Sequence, residues 1–516
     1  MLLRQEPWPD AWVLGAETVE VCMSFVVRRG RLGRLVSCAS AIALLAAAPA
    51  SLAQAPLWQN GPPASASQGV PREHLAVVEG AGGLYDGPVA AYVSQVGARV
   101  ARAAGRSGCA FHVLNSDVVN AFTSPPGCHV YVTRGLLTLI NTEDELASVL
   151  GHEVGHVAAN HAGRRQQRSV VTGIGALVLG ALTRSANVAQ IASQAGQLSV
   201  LSYSRQQEFE ADGLGVRYLA QGGYSPYGLV DMLGALQRED QFDAARRGRQ
   251  GQETAAWART HPLTGDRIAR ALQSARQAGP PPTDATAAAG RDAYLRQIDG
   301  MLYGDDPEQG FVEDRRFTHP VLRIGFEAPS GFTLTNGATA VGIEGPEGAK
   351  GQFSAGSLSG DLERYAYDVL RRTVGQAPAQ LGASERTRIG GFDAVVLPAR
   401  AQSGSRVLDV VVAAYADGSG RAYHFVTLSP AGRAQIWDPV IGSLHRLSPQ
   451  ELAAAQPKRV EVVVVRPGDT VQTLSQRMAF DDYRLERFLM INGLQPADPL
   501  RPGQPVKLVT TSRRGR

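Results

Sequence analysis

The chain has 516 residues, of which 44% are hydrophobic, and it includes 57 glycines and 30 prolines. This length predicts two to four domains rather than one core. The formal net charge is +4, and nearly all of the positive charge is arginine, because only Lys350, Lys458 and Lys507 are lysines. No block of like charge accompanies it, so the composition gives no support to a nucleic-acid partner.

Residues 1–55 have the layout of a secretory signal peptide. Four arginines between positions 28 and 34 precede an uncharged run, Val36–Ala48, and small residues after this run offer cleavage sites. Met23 would be a more usual start for such a signal, which leaves residues 1–22 as an unexplained leader. The apolar run is too short to span a bilayer. We therefore expect a cleaved signal and no transmembrane span after its removal.

The mature chain is predicted to begin with a flexible segment, residues 56–71, because Pro, Ser, Ala and Gln dominate it. Residues 72–277 then read as one mainly α-helical domain with a small β-sheet. The sheet is predicted from Phe111–Leu114 and His129–Val132, two runs separated by the turn-rich Ser124–Gly127.

Two cysteines, Cys109 and Cys128, remain in the mature chain after signal removal. They flank the predicted strand-turn-strand segment, and an oxidising compartment would allow one disulfide between them. Two buried thiols are the alternative. We expect the disulfide.

A strong helix is predicted to start at Thr142–Glu145, where Thr142 can cap the helix and Glu145 can reach back. This helix carries the run His152-Glu153-Val154-Gly155-His156. Because His152 and His156 are four residues apart, their rings project from one face and can hold one Zn²⁺ at ~2.0–2.1 Å. Glu153 points away from the pair and is predicted to activate a water at the zinc as general base.

The same five-residue pattern also arises by chance, as two histidines on a polar helix face. A catalytic zinc needs a third protein ligand, and Glu208 and Asp212 lie four residues apart on a second predicted helix. Glu208 can complete a His₂Glu site, and Asp212 can accept the free N–H of a ligand histidine. His161 is predicted to lie at the surface or behind the ligands, and Glu210 to be a structural or solvated charge.

Five motifs in this region resemble the HtpX-like gluzincin peptidases, especially their periplasmic BepA-like branch. The motifs are Asn120-Ala121-Phe122, Thr133-Arg134-Gly135-Leu136-Leu137, the run from Glu145 to His156, the run from Ser204 to Asp212, and the run from Thr260 to Ile268. The resemblance covers residues 70–275, with all motifs in order. It implies one zinc per chain bound by His152, His156 and Glu208, with Glu153 as the catalytic glutamate and Asp212 as the residue that orients a ligand.

Several roles are open for His261, which precedes Pro262. Its imidazole can bind the fourth zinc position, gate the site or stabilise the oxyanion, or it can be a structural loop histidine. The resemblance favours a position near the metal without selecting a role, so His261 stands with Glu153 and Asp212 as a catalytic candidate. Arg267 is predicted to brace this loop through an ion pair with a nearby acid.

The rest of the chain is divided by proline-rich breaks. Residues 278–315 are predicted to be a linker with a connecting helix, and residues 316–447 a small accessory α/β domain without a ligand cluster. Residues 458–510 resemble a LysM module over its full length, which implies a β-α-α-β fold that binds N-acetylglucosamine-containing glycans.

The resemblance to LysM rests on three runs, Val465–Thr470, Ile491–Leu494 and Leu500–Gln504. It departs from the family pattern slightly, at Val471 and Pro505. Four residues fall at family positions that line or shape the glycan groove, namely Gly468, Asp469, Thr470 and Asn492. Turn and cap chemistry is an equally good explanation of each of these side chains.

Together these features predict an exported, periplasmic and peptidoglycan-associated zinc metalloendopeptidase that hydrolyses envelope proteins in protein quality control. The partners implied are protein or peptide substrates, peptidoglycan glycan strands and the outer-membrane assembly machinery. The alternative is a chaperone or assembly factor for outer-membrane proteins in which proteolysis is secondary. A peptidoglycan hydrolase is disfavoured, because cell-wall zinc hydrolases use other ligand spacings.

Overall fold

The computed structural model describes residues 70–164, 203–247, 257, 260–262, 265–403 and 406–511. The predicted signal peptide, and all but the last two residues of the predicted flexible segment 56–71, lie outside the described residues. Within the described part of the chain, no helix is long and apolar enough to cross a membrane.

Helices dominate the described residues between 70 and 300. They are α1 (Leu75–Gly80), α2 (Pro88–Ala103), α3 (Arg134–Leu139), α4 (Glu143–Ala158), α5 (Arg205–Gly222), α6 (Gly228–Arg247), α7 (Gly265–Ala278) and α8 (Asp284–Ile298). Their buried apolar residues form one core in which α4 packs against α2, α5 and α6. The helix with the histidine pair therefore lies at the centre of this region.

A three-stranded sheet lies beside these helices. It consists of β1 (Ala110–Leu114), β2 (Ala121–Ser124) and β3 (His129–Thr133) in the order β1-β3-β2, with β3 parallel to β1 and antiparallel to β2. The sequence predicts β1 and β3 but not β2, because this short strand runs directly into the proline-rich turn. Cys109 and Cys128 are joined by a disulfide, which ties together the starts of β1 and β3.

Helix α4 begins with the predicted cap, in a modified form. The Thr142 hydroxyl accepts from the backbone N–H of Glu145 at 3.1 Å. Glu145 reaches back as expected, but its carboxylate accepts from the backbone N–H of Asn141 at 3.1 Å instead of that of Thr142. The cap thus satisfies the free N–H group of Glu145 in the first turn of the helix, while the Glu145 side chain stays buried.

Glycines allow α4 and α5 to approach closely. A Cβ atom at Gly155 would lie only 3.0 Å from the backbone oxygen of Ala211, and one at Gly215 only 3.3 Å from the backbone nitrogen of His152. This close contact brings the acidic residues of α5 over the histidine face of α4.

The middle of the chain consists mainly of antiparallel strands. They are β5 (Phe311–Glu313), β6 (Arg316–His319), β7 (Ile324–Glu327), β8 (Thr333–Asn336), β9 (Ala340–Glu344), β10 (Lys350–Ser357), β11 (Ala379–Leu381), β12 (Glu385–Ile389), β13 (Phe392–Ser403), β14 (Arg406–Ala416), β15 (Arg421–Pro430) and β16 (His445–Arg446). Eight of them form a sheet in the order β11-β13-β14-β15-β10-β9-β8, with β12 on β13, and four form a second sheet, β16-β7-β6-β5.

Three helices accompany these strands, α9 (Leu362–Val374), α10 (Asp438–Gly442) and α11 (Pro449–Ala454). The long α9 covers one face of the eight-stranded sheet, and an aromatic-rich core lies on the other face. Strand β5 lies before residue 316, so the sheet structure begins earlier in the chain than the sequence indicates.

The C-terminal unit has the order β17 (Lys458–Val464), α12 (Val471–Ser475), α13 (Arg484–Asn492) and β18 (Pro505–Thr510). Its sheet has a third strand, β4 (Leu302–Tyr303), which follows α8 and pairs with β17. Val460 of β17 is part of the large helical core. The C-terminal unit is thereby built directly onto the helical region.

Lys507 of β18 makes a buried contact at this interface. It is fully buried, and its Nζ donates to the backbone oxygens of Thr138 and Ile140 at 2.7 Å, at the C-terminal end of α3. Because a lysine amino group at a helix C-terminus donates to carbonyls that have no partner inside the helix, this contact joins the two units.

We expect Lys507→Met to lower the free energy of unfolding by about 1–3 kcal/mol, because buried carbonyl groups lose their donor. Urea denaturation of the full chain measures this loss. Lys350→Met is the matched control, since Lys350 is mostly exposed and its ion pair with Glu344 should contribute little. Equal stabilities of the two variants would contradict a stabilising role for Lys507.

Three histidines of the helical region, His74, His112 and His129, contact one another. His112 Nε2 lies 3.2 Å from His129 Nδ1, and the rings of His74 and His129 are 5.1 Å apart. Burial and the two neighbouring imidazoles lower the pKa of His112 to about 4. In the folded protein His112 is therefore neutral at a pH where an unfolded histidine is protonated.

Between pH 6.5 and pH 4 the unfolded chain binds a proton that the folded chain does not, so stability falls as pH falls. We expect the free energy of unfolding to decrease by about 1–2 kcal/mol from pH 7 to pH 5 through His112. His112→Phe should reduce this decrease, whereas the control His445→Gln should retain it. Denaturation at several pH values measures it, and an unchanged slope in His112→Phe would refute the assignment.

Candidate metal centre

The structure brings His152, His156, Glu208 and His261 together in one buried cluster. The two histidines are on α4, Glu208 is on the first turn of α5, and His261 precedes α7. Each of the four side chains is at most 2% exposed. The sequence predicts three of these residues as ligands, and it places His261 near the metal only through the family resemblance.

The donor atoms of this cluster are separated by distances close to those between the ligands of one zinc ion. His152 Nε2 lies 3.0 Å from His156 Nε2 and 3.5 Å from Glu208 Oε2, and His156 Nε2 lies 3.5 Å from Glu208 Oε1. Tetrahedral ligands at ~2.0–2.1 Å from zinc are about 3.3–3.4 Å apart. The spacing and the nitrogen and oxygen donors therefore fit one zinc ion.

His261 lies at a fourth corner. Its Nδ1 is 3.3 Å from His152 Nε2 and 3.1 Å from Glu208 Oε1. Its Nε2 is 3.5 Å from Glu153 Oε1. The imidazole thus faces both the ligand cluster and the predicted general base, which a purely structural loop histidine has no reason to do.

Asp212 lies behind His152. Its Oδ1 is 2.9 Å from His152 Nδ1, the nitrogen that points away from the cluster. A carboxylate in this position fixes the hydrogen on Nδ1 and leaves Nε2 free to bind a metal. This is the contact predicted for an orienting residue.

Arg267 on α7 bridges two of the acids of α5, Glu208 and Asp212. It contacts both oxygens of Asp212, at 2.8 and 2.9 Å, and Glu208 Oε2 at 2.8 Å. Burial raises the pKa of Glu208, but His261, His156 and Arg267 outweigh it and hold this pKa well below its usual range. The predicted ion pair of Arg267 with an acid is present and acts on the cluster itself.

Glu153 is fully buried beside the cluster, and burial raises the pKa of its carboxyl group. Neither of its oxygens has a hydrogen-bond partner among the described residues. A buried carboxylate without hydrogen bonds is costly, and besides His261 at 3.5 Å this one has room for a reactant that approaches it. A water bound between Glu153 and a metal would satisfy that requirement.

Two aromatic residues at the centre were not predicted from the sequence. Tyr203 stacks on His156, with ring centroids 3.8 Å apart, and Trp257 stacks on His261 at 4.3 Å. Both are buried. Tyr203 directly precedes the Ser204 cap of α5, a position that could have drawn notice, but nothing in the local sequence around Trp257 indicates its contact.

The four residues predicted to line or shape the glycan groove have internal roles in the C-terminal unit. Gly468 has φ +90°, Asp469 accepts from the backbone N–H of Arg466, and Thr470 caps α12. Asn492 is 1% exposed and exchanges hydrogen bonds with the backbone of Lys507. A direct contact of these residues with a glycan stays a prediction, and for Asn492 the burial leaves only a shaping role.

Comparison with protein families finds matches in two regions of the chain, the helical region and the C-terminal unit. A model of peptidase family M48 matches residues 89–275, and a LysM domain model matches residues 463–509. The chain contains an M48 peptidase domain followed by a LysM domain. The M48 match includes every member of the cluster and Glu153, and the disulfide lies within it as well.

The chain is also similar to curated proteins. It is 30% identical over 211 residues to the beta-barrel assembly-enhancing protease of Yersinia pestis, a match that covers 39% of this chain and 42% of that protein. The protein of the same name from Escherichia coli (strain K12) is 32% identical over 200 residues, which is 37% of this chain and 39% of that protein.

A eukaryotic relative is the mitochondrial metalloendopeptidase OMA1 of Schizosaccharomyces pombe, 32% identical over 184 residues. That match covers 35% of this chain and 51% of OMA1. The chain thus spans about half or less of each of these relatives.

Proposed function

We propose that this protein is a zinc metalloendopeptidase of the bacterial envelope. The observation that carries the proposal is the close spacing of the donor atoms of His152, His156 and Glu208 beside the buried carboxylate of Glu153, which accepts no hydrogen bond from the described residues. The M48 match and the names of the relatives, which call them a protease and a metalloendopeptidase, support the same activity.

His152, His156 and Glu208 would hold the zinc. Bound zinc would polarise the scissile carbonyl as a Lewis acid and lower the pKa of the attacking water. Asp212 keeps the hydrogen of His152 on Nδ1, so Nε2 stays available as a donor. Arg267 keeps Glu208 ionised and in place.

Glu153 would take the proton of the attacking water and give it to the leaving amine. Burial raises the pKa of this carboxyl group, which makes the carboxylate a stronger base toward water, and a pKa closer to the operating pH suits a group that must both accept and return a proton. Its two oxygens accept no hydrogen bond from the described residues, so they can hold the water before attack and the proton after it.

His261 gives the centre a fourth donor, whereas a catalytic zinc site keeps one position for water or substrate. Its imidazole therefore has to leave the cluster when a substrate carbonyl enters. This supports the gating interpretation over the structural one, and it keeps the histidine close enough to contact the developing oxyanion afterwards.

Protein substrates in the envelope are supported by three features. The N-terminal segment has the sequence layout of a signal peptide, the chain has a LysM domain, and the bacterial relatives are named for the assembly of β-barrels. The LysM domain would bind N-acetylglucosamine-containing strands of peptidoglycan and keep the peptidase in the periplasm beside the cell wall.

Proteolysis is tested directly with the purified, zinc-loaded full chain and an unfolded protein such as reduced casein. We expect cleavage that stops on treatment with a chelator and returns when zinc is added. Release of peptides that persists in the chelated protein would overturn the proposal. Release of muropeptides from purified sacculi would instead favour a cell-wall hydrolase.

The second candidate function, a chaperone or assembly factor for outer-membrane proteins, is favoured by the words "assembly-enhancing" in the relatives' names. Cells in which Glu153→Gln replaces the wild-type chain separate the two functions. We expect envelope defects in these cells that resemble those of a deletion. Full rescue by Glu153→Gln would make proteolysis secondary.

A further inference from the structure

His161 lies directly behind the zinc ligand His156, on the side away from the cluster. Its Nδ1 is 2.7 Å from His156 Nδ1, and the residue is fully buried. Its Nε2 lies 3.2 Å from Glu210 Oε2. Glu210 in turn pairs with Arg164 at 3.0 Å, so an unbroken series of contacts joins His156 to a surface ion pair.

The positions of the protons in this series follow from the site. His156 turns its Nε2 toward the other donors, so a metal requires that nitrogen to be unprotonated and Nδ1 to carry the hydrogen. Two Nδ1 atoms 2.7 Å apart can share only one hydrogen, so His161 must accept it. The remaining hydrogen of His161 is then on Nε2, where the Glu210 carboxylate accepts it.

Helix α5 would in this way orient both histidines of α4. Asp212 contacts His152 directly, whereas Glu210, on the same helix, contacts His161, which in turn contacts His156. Glu208, Glu210 and Asp212 come from little more than one turn of α5. One short acidic segment thus serves both the metal and the outer nitrogens of its two imidazole ligands.

We propose that His161 is a positioning residue that, with Glu210 behind it, fixes the tautomer and ring orientation of His156 for zinc binding. This proposal rests on the zinc site proposed above. Hydrogen-bond partners of a ligand histidine typically change metal affinity 10–100-fold. Glu210 and Arg164 have side chains that are 43% and 46% exposed, so solvent screens their charges and His161 carries the larger share.

The proposal predicts the zinc affinity of three variants of the full chain, measured by competition with a chromophoric chelator. His161→Phe keeps a ring but has no acceptor, and we expect it to bind zinc ~10–100-fold more weakly than wild type. His161→Gln offers an amide oxygen to His156 Nδ1 and should recover most of the loss. Glu210→Gln keeps an acceptor for His161 and should stay within a few-fold of wild type.

Two results would overturn the proposal. One is wild-type affinity in His161→Phe, and the other is an equal loss in His161→Phe and His161→Gln, which would indicate ring packing instead of a hydrogen bond. Glu208→Ala serves as the reference for the site itself. If Glu208→Ala binds zinc as tightly as wild type, the assignment of the zinc site is wrong, and this proposal is wrong as well.

A measurement on the unsubstituted protein tests the proton positions even if His161→Phe fails to fold. In zinc-loaded protein labelled with ¹⁵N-histidine, two-bond and three-bond ¹H–¹⁵N correlations report the tautomer of each imidazole. The His161 signals, assigned by their absence in His161→Gln, should show the hydrogen on Nε2. A hydrogen on Nδ1 of His161 would contradict the proposed series.

Discussion

Glu153→Gln is expected to lower kcat/KM for hydrolysis of an unfolded protein by ~10²–10⁴-fold, the usual contribution of a general base. Glutamine has nearly the same shape as glutamate but cannot take a proton from water. The zinc content should stay at that of wild type, because Glu153 is not among the proposed metal ligands. Initial rates and metal analysis on the same preparations measure both quantities.

Glu145→Gln is a useful control for this experiment. It makes the same chemical change on the same helix, at the buried cap of α4 and away from the cluster. It can alter stability but should retain most of the activity of the folded protein. Equal activity of Glu153→Gln and wild type would remove Glu153 from the chemistry.

Glu208→Ala is expected to lose zinc, with an affinity more than ~100-fold below that of wild type. The reason is that the site loses a direct ligand. Loss of a residue that only hydrogen-bonds to a ligand typically lowers the metal affinity 10–100-fold, and loss of the ligand itself should lower it further. The variant also leaves Arg267 without one of its two acidic partners. Metal analysis after dialysis against a weak chelator measures the effect.

His261→Ala is the matched comparison, since His261 belongs to the same cluster but is proposed to yield its place to substrate. This variant should keep its zinc through the three remaining donors. Undiminished zinc in Glu208→Ala would remove Glu208 from the ligand set, and loss of zinc in His261→Ala would make that histidine a permanent ligand.

The candidate zinc ligands could be predicted from the sequence because the spacings that indicate them lie within single helices. The separations of His152 from His156 and of Glu208 from Asp212 place each pair on one helix face, whatever the rest of the fold is. The Thr142 cap was likewise visible. The structure adds that glycine contacts bring the two helices together, which spacing alone cannot show.

Contacts between distant segments were not predictable in this way. Tyr203 and Trp257 stack on ligand-cluster histidines only because three separate segments meet there. The sequence left two positions open for His161, at the surface or behind the ligands. The structure shows it buried, behind the ligands. Helical spacing gives the direction of a side chain but not what lies beyond it.

The sequence also does not predict how the C-terminal unit packs against the rest of the chain. The sequence predicts a separate module after a linker, whereas β4 extends its sheet and Lys507 enters the end of α3. A two-residue strand has no periodicity to detect. A single lysine in a strand normally indicates an exposed position, and only the tertiary structure shows that this one is buried.

Anomalous diffraction from crystals of the zinc-loaded full chain, recorded on both sides of the zinc absorption edge, tests the central claim most directly. The predicted result is one anomalous peak per chain, ~2.0–2.2 Å from His152 Nε2, His156 Nε2 and a carboxylate oxygen of Glu208. A zinc peak bound elsewhere, or none at this cluster in protein that cleaves its substrate, would contradict the assignment of the metal centre.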